Sequence, residues 1–113
     1  MSVDLPILAG PPDGRSAALR GGLDPVLDAE RIAAVAKALS DPLRVRLLDV
    51  LRRSDEPVCQ CEFVALFDIG QSLLSHHVRK LVAAGLVEVE RRHRWAYYSA
   101  SPDALKELTA WLS

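Results

Sequence analysis

The sequence predicts a mainly α chain with one small β-hairpin, a winged helix-turn-helix that works as a dimer. Three observations predict this class. The stretch GQSLLSHHVRKLVAAG, from Gly70 to Gly85, separates into two faces on a helix of about 3.6 residues per turn. Leu74, Val78, Leu81 and Val82 share one side, while Ser72, Ser75, His76 and Arg79 share the opposite side. A short helix and a glycine-containing turn, Asp68-Ile69-Gly70, precede it. After it, Leu86–Arg91 alternates apolar and charged residues, Trp95–Ser99 is rich in strand formers, and Arg92-His93-Arg94 lies between them. That pattern is a hairpin with a basic tip, although the tip lacks the usual glycine.

The chain of 113 residues is enough for one domain with a modest core. Half of it is hydrophobic and only 5% aromatic, so the core must be largely aliphatic. Formal net charge is -1, which by itself does not announce a nucleic-acid binder. The charge is unevenly placed. Between His76 and Arg94, Arg79, Lys80, Arg91, Arg92 and Arg94 stand against Glu88 and Glu90. A basic face on a near-neutral body suits DNA binding at one surface. No apolar run is long enough to span a bilayer, and the N-terminus lacks a secretory pattern, so a cytoplasmic protein is expected.

In chain order, residues 1–23 hold several Gly and Pro with little periodicity and read as a flexible N-terminal arm, with residues 24–113 as the folded domain. Asp24-Pro25 looks like a helix opening, an acidic cap followed by proline. That helix should run to about Leu39, with Ile32, Val35, Ala36 and Leu39 inward. Asp41-Pro42 repeats the device for a second helix to about Arg53, with Leu43, Leu47, Val50 and Leu51 inward and Arg44, Arg46, Arg52 and Arg53 outside or at its ends. Val58–Cys61 is either a short extended piece or the first turn of a third helix ending near Phe67. The amphipathic helix follows, closed by Gly85 in a position that favours a left-handed residue. Ser101-Pro102 opens the last helix, with Leu105, Leu108 and Leu112 inward and Trp111 beside them. The polar face of the fourth helix suits the major groove, and Arg91, Arg92 and Arg94 on the wing would reach phosphates or the minor groove. His77, one step round the helix, belongs at the core edge.

SDPLRVRLLDVL, the Cys-x-Cys element and GQSLLSHHVRKLVAAGLVEVERRHRWAYYS together resemble the ArsR/SmtB family of metal-responsive repressors. The resemblance runs from about residue 26 to the C-terminus. It implies a winged-helix homodimer that binds double-stranded operator DNA and releases it when an inducer binds. It implies dimerisation through the first and last helices, about 25–39 and 102–112. It also implies Gln71, Ser72, Ser75, His76 and Arg79 as DNA-facing residues. Independently, one winged helix reads few base pairs whereas a twofold dimer spans two half-sites.

Cys59 and Cys61 sit where arsenic-sensing members of that family carry a Cys-Val-Cys-Asp-Leu-Cys element. Both must be thiolates to ligate, and soft thiophilic ions match them. The expected inducer is trivalent arsenic, as arsenite or methylarsenite, or antimonite, with no obligatory cofactor. The third cysteine of the pattern falls on Val64, so one chain cannot build a three-sulfur cage. Residues two apart on a regular helix point about 200° apart, so ligation by both should require unwinding the start of the third helix. The last helix has no histidine for a zinc site of the family's other type. Two further readings stand beside the leading one. In the first, the thiols of a winged-helix repressor sense oxidants or another soft metal. In the second, the chain is a small dithiol enzyme, against which there is no Cys-x-x-Cys and no βαβ pattern.

Overall fold

A computed structural model describes residues 21–113, so most of the arm assigned to residues 1–23 lies outside the described residues. The element order is α1 (Ala29–Ala38), α2 (Pro42–Arg52), β1 (Val58–Cys59), α3 (Gln60–Phe67), α4 (Gln71–Ala83), β2 (Val87–Arg92), β3 (Trp95–Ala100) and α5 (Pro102–Leu112). The three strands form one antiparallel sheet in the order β1-β3-β2.

The first helix starts later than its Asp24-Pro25 signal suggests. The Asp24 carboxylate accepts from the Val26 N–H in an isolated turn, and Asp28 caps α1 by accepting from the Arg31 N–H at 3.1 Å. Val26 is 88% exposed, so an extra turn before Ala29 would have nothing in this chain to pack against. The second opening works as read. Asp41 accepts from the Leu43 N–H at 2.8 Å and Pro42 takes the first helical position. Arg44 is a correction: it is half-buried, and its guanidinium donates to the Ala38 carbonyl at 3.2 Å, tying α2 back to α1.

Phe63, Leu47, Leu74, Leu81 and Leu86 are the largest fully buried side chains and mark the centre of the core. Val35, Leu48, Leu51, Val78, Val87, Ala96, Tyr98 and Ala104 surround them. Val82, expected inward, is 37% exposed, and Leu48 takes the inward place not anticipated in α2. At the end of α4 the Leu86 N–H donates to the Leu81 carbonyl and the Gly85 N–H to that of Val82, with Gly85 at φ 78. This pair of bonds closes the helix and turns the chain straight into the wing.

The wing is a two-residue hairpin whose last rung pairs Arg92 with Trp95. Arg92 therefore belongs to β2 rather than to the tip. His93, at φ 58, takes the left-handed conformation that a glycine would otherwise supply. Val89 is 42% exposed, so the apolar side of β2 is covered only at its Val87 end. On α5, Ser101 accepts from the Ala104 N–H and Ala104 is buried, but Trp111 and Leu112 are exposed in the single chain.

Candidate nucleic-acid interface and thiol site

The polar face of α4 is built as its periodicity predicts. Gln71, Ser72, His76 and Arg79 are exposed, and Leu74, His77, Val78 and Leu81 are buried on the other side. Gly70 offers no side chain to cap α4, so the first N–H groups of this helix remain free for phosphate oxygens. Ser75 is half-buried because its hydroxyl accepts from the Gln60 amide at 3.3 Å. His77 sits at the core edge with Nδ1 3.9 Å from the Asp41 carboxylate.

The wing arginines differ in what they have free. Arg91 shares a groove of about 370 Å³ with Ser75 and Arg79, between α4 and the sheet. Arg94 at the tip is exposed. Arg92 is already engaged: its guanidinium lies 3.0 Å from the Glu90 carboxylate and 4.7 Å from the centre of the Tyr97 ring. Its hydrogen bond to Glu90 holds the Arg92 pKa above its ordinary value and that of Glu90 below. Phosphate contact through Arg92 therefore requires that pair to open.

Cys59 and Cys61 do not point apart. Cys59 is the extended residue that closes β1 and caps α3, at φ -66 and ψ 140. Its sulfur accepts from the Cys61 N–H at 3.4 Å, and its own N–H donates to the Glu62 carboxylate at 3.2 Å. Only Cys61 is on the helix, and the two free sulfurs lie 2.6 Å apart. The expected unwinding is therefore not needed to bring them together, because the strand-to-helix junction already does so. The hydrogen bond with Cys59, with burial and the nearby charges of Cys59 and Glu62 behind it, pushes the Cys61 thiol pKa up.

Beside Cys61 lies a cleft of about 350 Å³ lined by Gln60, Cys61, Val64, Gln71, Arg94 and Trp95. Val64, at the position of the missing third cysteine, is part of its wall. Among the described residues no three His, Cys, Asp or Glu side chains come together as a metal site. Gln60 and Trp95 did not stand out in the sequence. Continuing the β1–β3 register beyond Cys59 is the signal that would have placed Trp95 near Cys61.

The family pattern of the bacterial regulatory protein, arsR family, matches residues 41–89. The transcriptional repressor SdpR of Bacillus subtilis is 31% identical over 78 residues, 69% of this chain and 84% of that protein. The chain belongs to the arsR family. A putative arsenical resistance operon repressor of Halobacterium salinarum is 33% identical over 68% of this chain and 58% of its own length. A homolog of the cadmium resistance regulatory protein CadC of Staphylococcus aureus is 32% identical over 68% of this chain and 63% of its own length. This arsR-family chain thus spans about three-fifths of each of those two relatives. The solution structure of a homodimeric winged helix-turn-helix DNA-binding domain from Mycobacterium bovis superposes with a TM-score of 0.63 at 24% identity, covering 74% of this chain and 75% of that one. It bears out the winged helix-turn-helix fold. The family and its structural neighbours are transcriptional regulators, not enzymes, and the dithiol-enzyme reading falls with that. No helix among the described residues is long and apolar enough to cross a membrane.

Proposed function

We propose that this arsR-family chain is a transcriptional repressor that binds double-stranded operator DNA as a homodimer. It lets go when a trivalent arsenical or antimonial is held by the thiolates of Cys59 and Cys61. One observation carries the sensing half. The sulfurs converge at the β1–α3 junction, and Gln60 between them is hydrogen-bonded to Ser75 of α4. Two thiolates with bonds of about 2.3 Å to one soft atom stand up to about 3.8 Å apart. Ligation must therefore spread this pair by about an ångström. Because Cys59 is anchored in the sheet, the displacement falls on Cys61, the first turn of α3 and Gln60. A ligand that prefers the spread geometry then disfavours the DNA-bound arrangement of α4 by the same coupling free energy.

The third valence cannot come from Val64, so it belongs to the ligand, as hydroxide, a small external thiol or the methyl group of methylarsenite. Free thiols in this arrangement suit a reducing, cytoplasmic setting. The dimer is assigned to α1 and α5. Leu27, Ile32, Leu39, Leu108, Trp111 and Leu112 line an apolar depression of about 430 Å³ between these helices, which a second copy would cover.

Fluorescence anisotropy on a labelled operator tests the reading. Cys59→Ser and Cys61→Ser keep operator affinity and lose release by arsenite, methylarsenite or antimonite. Normal release from either variant sinks the sensing assignment. The closeness of the two sulfurs also favours a second reading, a dithiol that senses oxidants. Release by peroxide with no metalloid present would move the assignment there.

A further inference from the structure

We propose that the cleft beside Cys61 receives the carbon substituent of a trivalent organoarsenical between Trp95 and Val64. Its occupation withdraws Arg94 and Gln71 from the DNA-reading surface. The proposal rests on the reading of Cys59 and Cys61 as the thiol ligands and adds a specificity wall and a route to release.

The cleft has a structural origin. β1 pairs with β3 at Val58–Tyr98 and Cys59–Tyr97, so each step forward on β1 is a step back on β3. Two more rungs would set Gln60 against Ala96 and Cys61 against Trp95. The chain instead coils into α3 after Cys59, and the vacated edge of β3 becomes the cleft. Cys61 and Val64 are three residues apart on α3 and so share one side of it. Trp95 is 49% exposed, which leaves half of its indole uncovered next to a reactive sulfur.

The chemistry follows from that lining. An organoarsonous acid carries two hydroxyl groups and one carbon group on arsenic. Each of the two As–O bonds is exchanged for an As–S bond, and each hydroxide leaves as water with the proton of the thiol it replaced. No oxidant or reductant is consumed. The As–C bond survives, and its carbon group lies between the Val64 methyls and the indole, where it is removed from water. Inorganic arsenite keeps a hydroxyl in that position and gains nothing from this wall. Arg94 and Gln71 complete the same lining, and both are among the residues assigned to DNA. Ligand and duplex therefore draw on the same two side chains.

The test uses the full chain with Trp111→Phe, which leaves Trp95 as the sole indole. Phenylarsine oxide, methylarsonous acid and arsenite are titrated without DNA, following Trp95 emission and the number of reactive thiols. Phenylarsine oxide should protect two thiols, change Trp95 emission and bind at least about tenfold tighter than arsenite. Trp95→Ala, followed by thiol protection, should cost the phenyl compound about tenfold and leave arsenite within about twofold. Equal loss for both ligands, no loss for either, or thiol protection without any change in Trp95 emission overturns the wall. For the second part, Arg94→Ala should weaken operator binding by the free protein and have no further effect on the arsenical-loaded protein. An equal effect in both states overturns it. If no arsenical protects the thiols and the serine variants release like the parent, the proposed function itself has failed, a result separate from those above.

Discussion

The side-chain amide of Gln60 donates to the hydroxyl of Ser75 at 3.3 Å, joining the residue between the two cysteines to the recognition helix α4. It is the direct polar link between thiol element and DNA face among the described residues. Shifting the first turn of α3 stretches this bond before it disturbs the buried contacts of Phe63 below.

Gln60→Ala should leave thiol ligation intact and weaken its consequence. One neutral hydrogen bond contributes on the order of 1 kcal/mol, so the ratio of operator affinities without and with inducer should shrink about fivefold. Anisotropy titrations in both states give the ratio directly. An unchanged ratio means the strain reaches α4 through packing alone.

The arginines should separate by their present engagements. Arg79→Ala, Arg91→Ala and Arg94→Ala should each lower the salt slope of operator binding by about 0.9. Arg92→Ala should lower it less, because Arg92 must first leave Glu90. Glu90→Gln frees that guanidinium and should tighten DNA binding at low salt. A slope series in which Arg92→Ala equals the others, with Glu90→Gln silent, would show that the Glu90 pair does not persist in solution.

The raised Cys61 pKa gives the inducer classes different pH dependences. The Cys61 thiol stays protonated through neutral pH, so a divalent ion such as cadmium must displace that proton. Its affinity should rise about tenfold per pH unit for each proton released, until pH passes the thiol pKa. A trivalent arsenical brings hydroxide to carry the proton away as water, so its affinity should stay nearly flat over the same range. Direct binding titrations from about pH 6 to pH 8 decide it. A flat cadmium curve would mean the site is already a thiolate.

Leu112→Asp places a charge on the apolar depression between α1 and α5, where Leu112 is 68% exposed in the single chain. Sedimentation should show the parent chain as a dimer and the variant as a monomer with far weaker operator binding. A monomeric parent that binds the operator as well would remove the dimer assignment.

The elements that announced themselves were those with both a cap and an apolar stripe. Asp41-Pro42 and the Leu74, Val78, Leu81 row placed α2 and α4 closely, and alternation placed the hairpin. Asp24-Pro25 carried an equally good local signal and failed, because residues 25–28 have no neighbours in the chain to bury against. Arg44 looked like an outward charge, yet the Ala38 carbonyl was within its reach, a contact that periodicity along one helix cannot show. The convergence of the sulfurs was illegible for a related reason. It depends on the backbone changing from extended to helical between Cys59 and Gln60, and a helical wheel drawn through both cysteines assumes that change away.

Cys59 has two tasks on one atom: its sulfur is a presumptive anchor for the effector and also the acceptor that finishes the amino end of α3. Any bond made to that sulfur from outside competes with its hold on the helix start. Serine there would secure the helix better and be inert toward soft electrophiles. This protein has therefore set its detector at a joint that is only as firm as a thiol can make it, and a signal arriving there loosens the structure at the moment it is received.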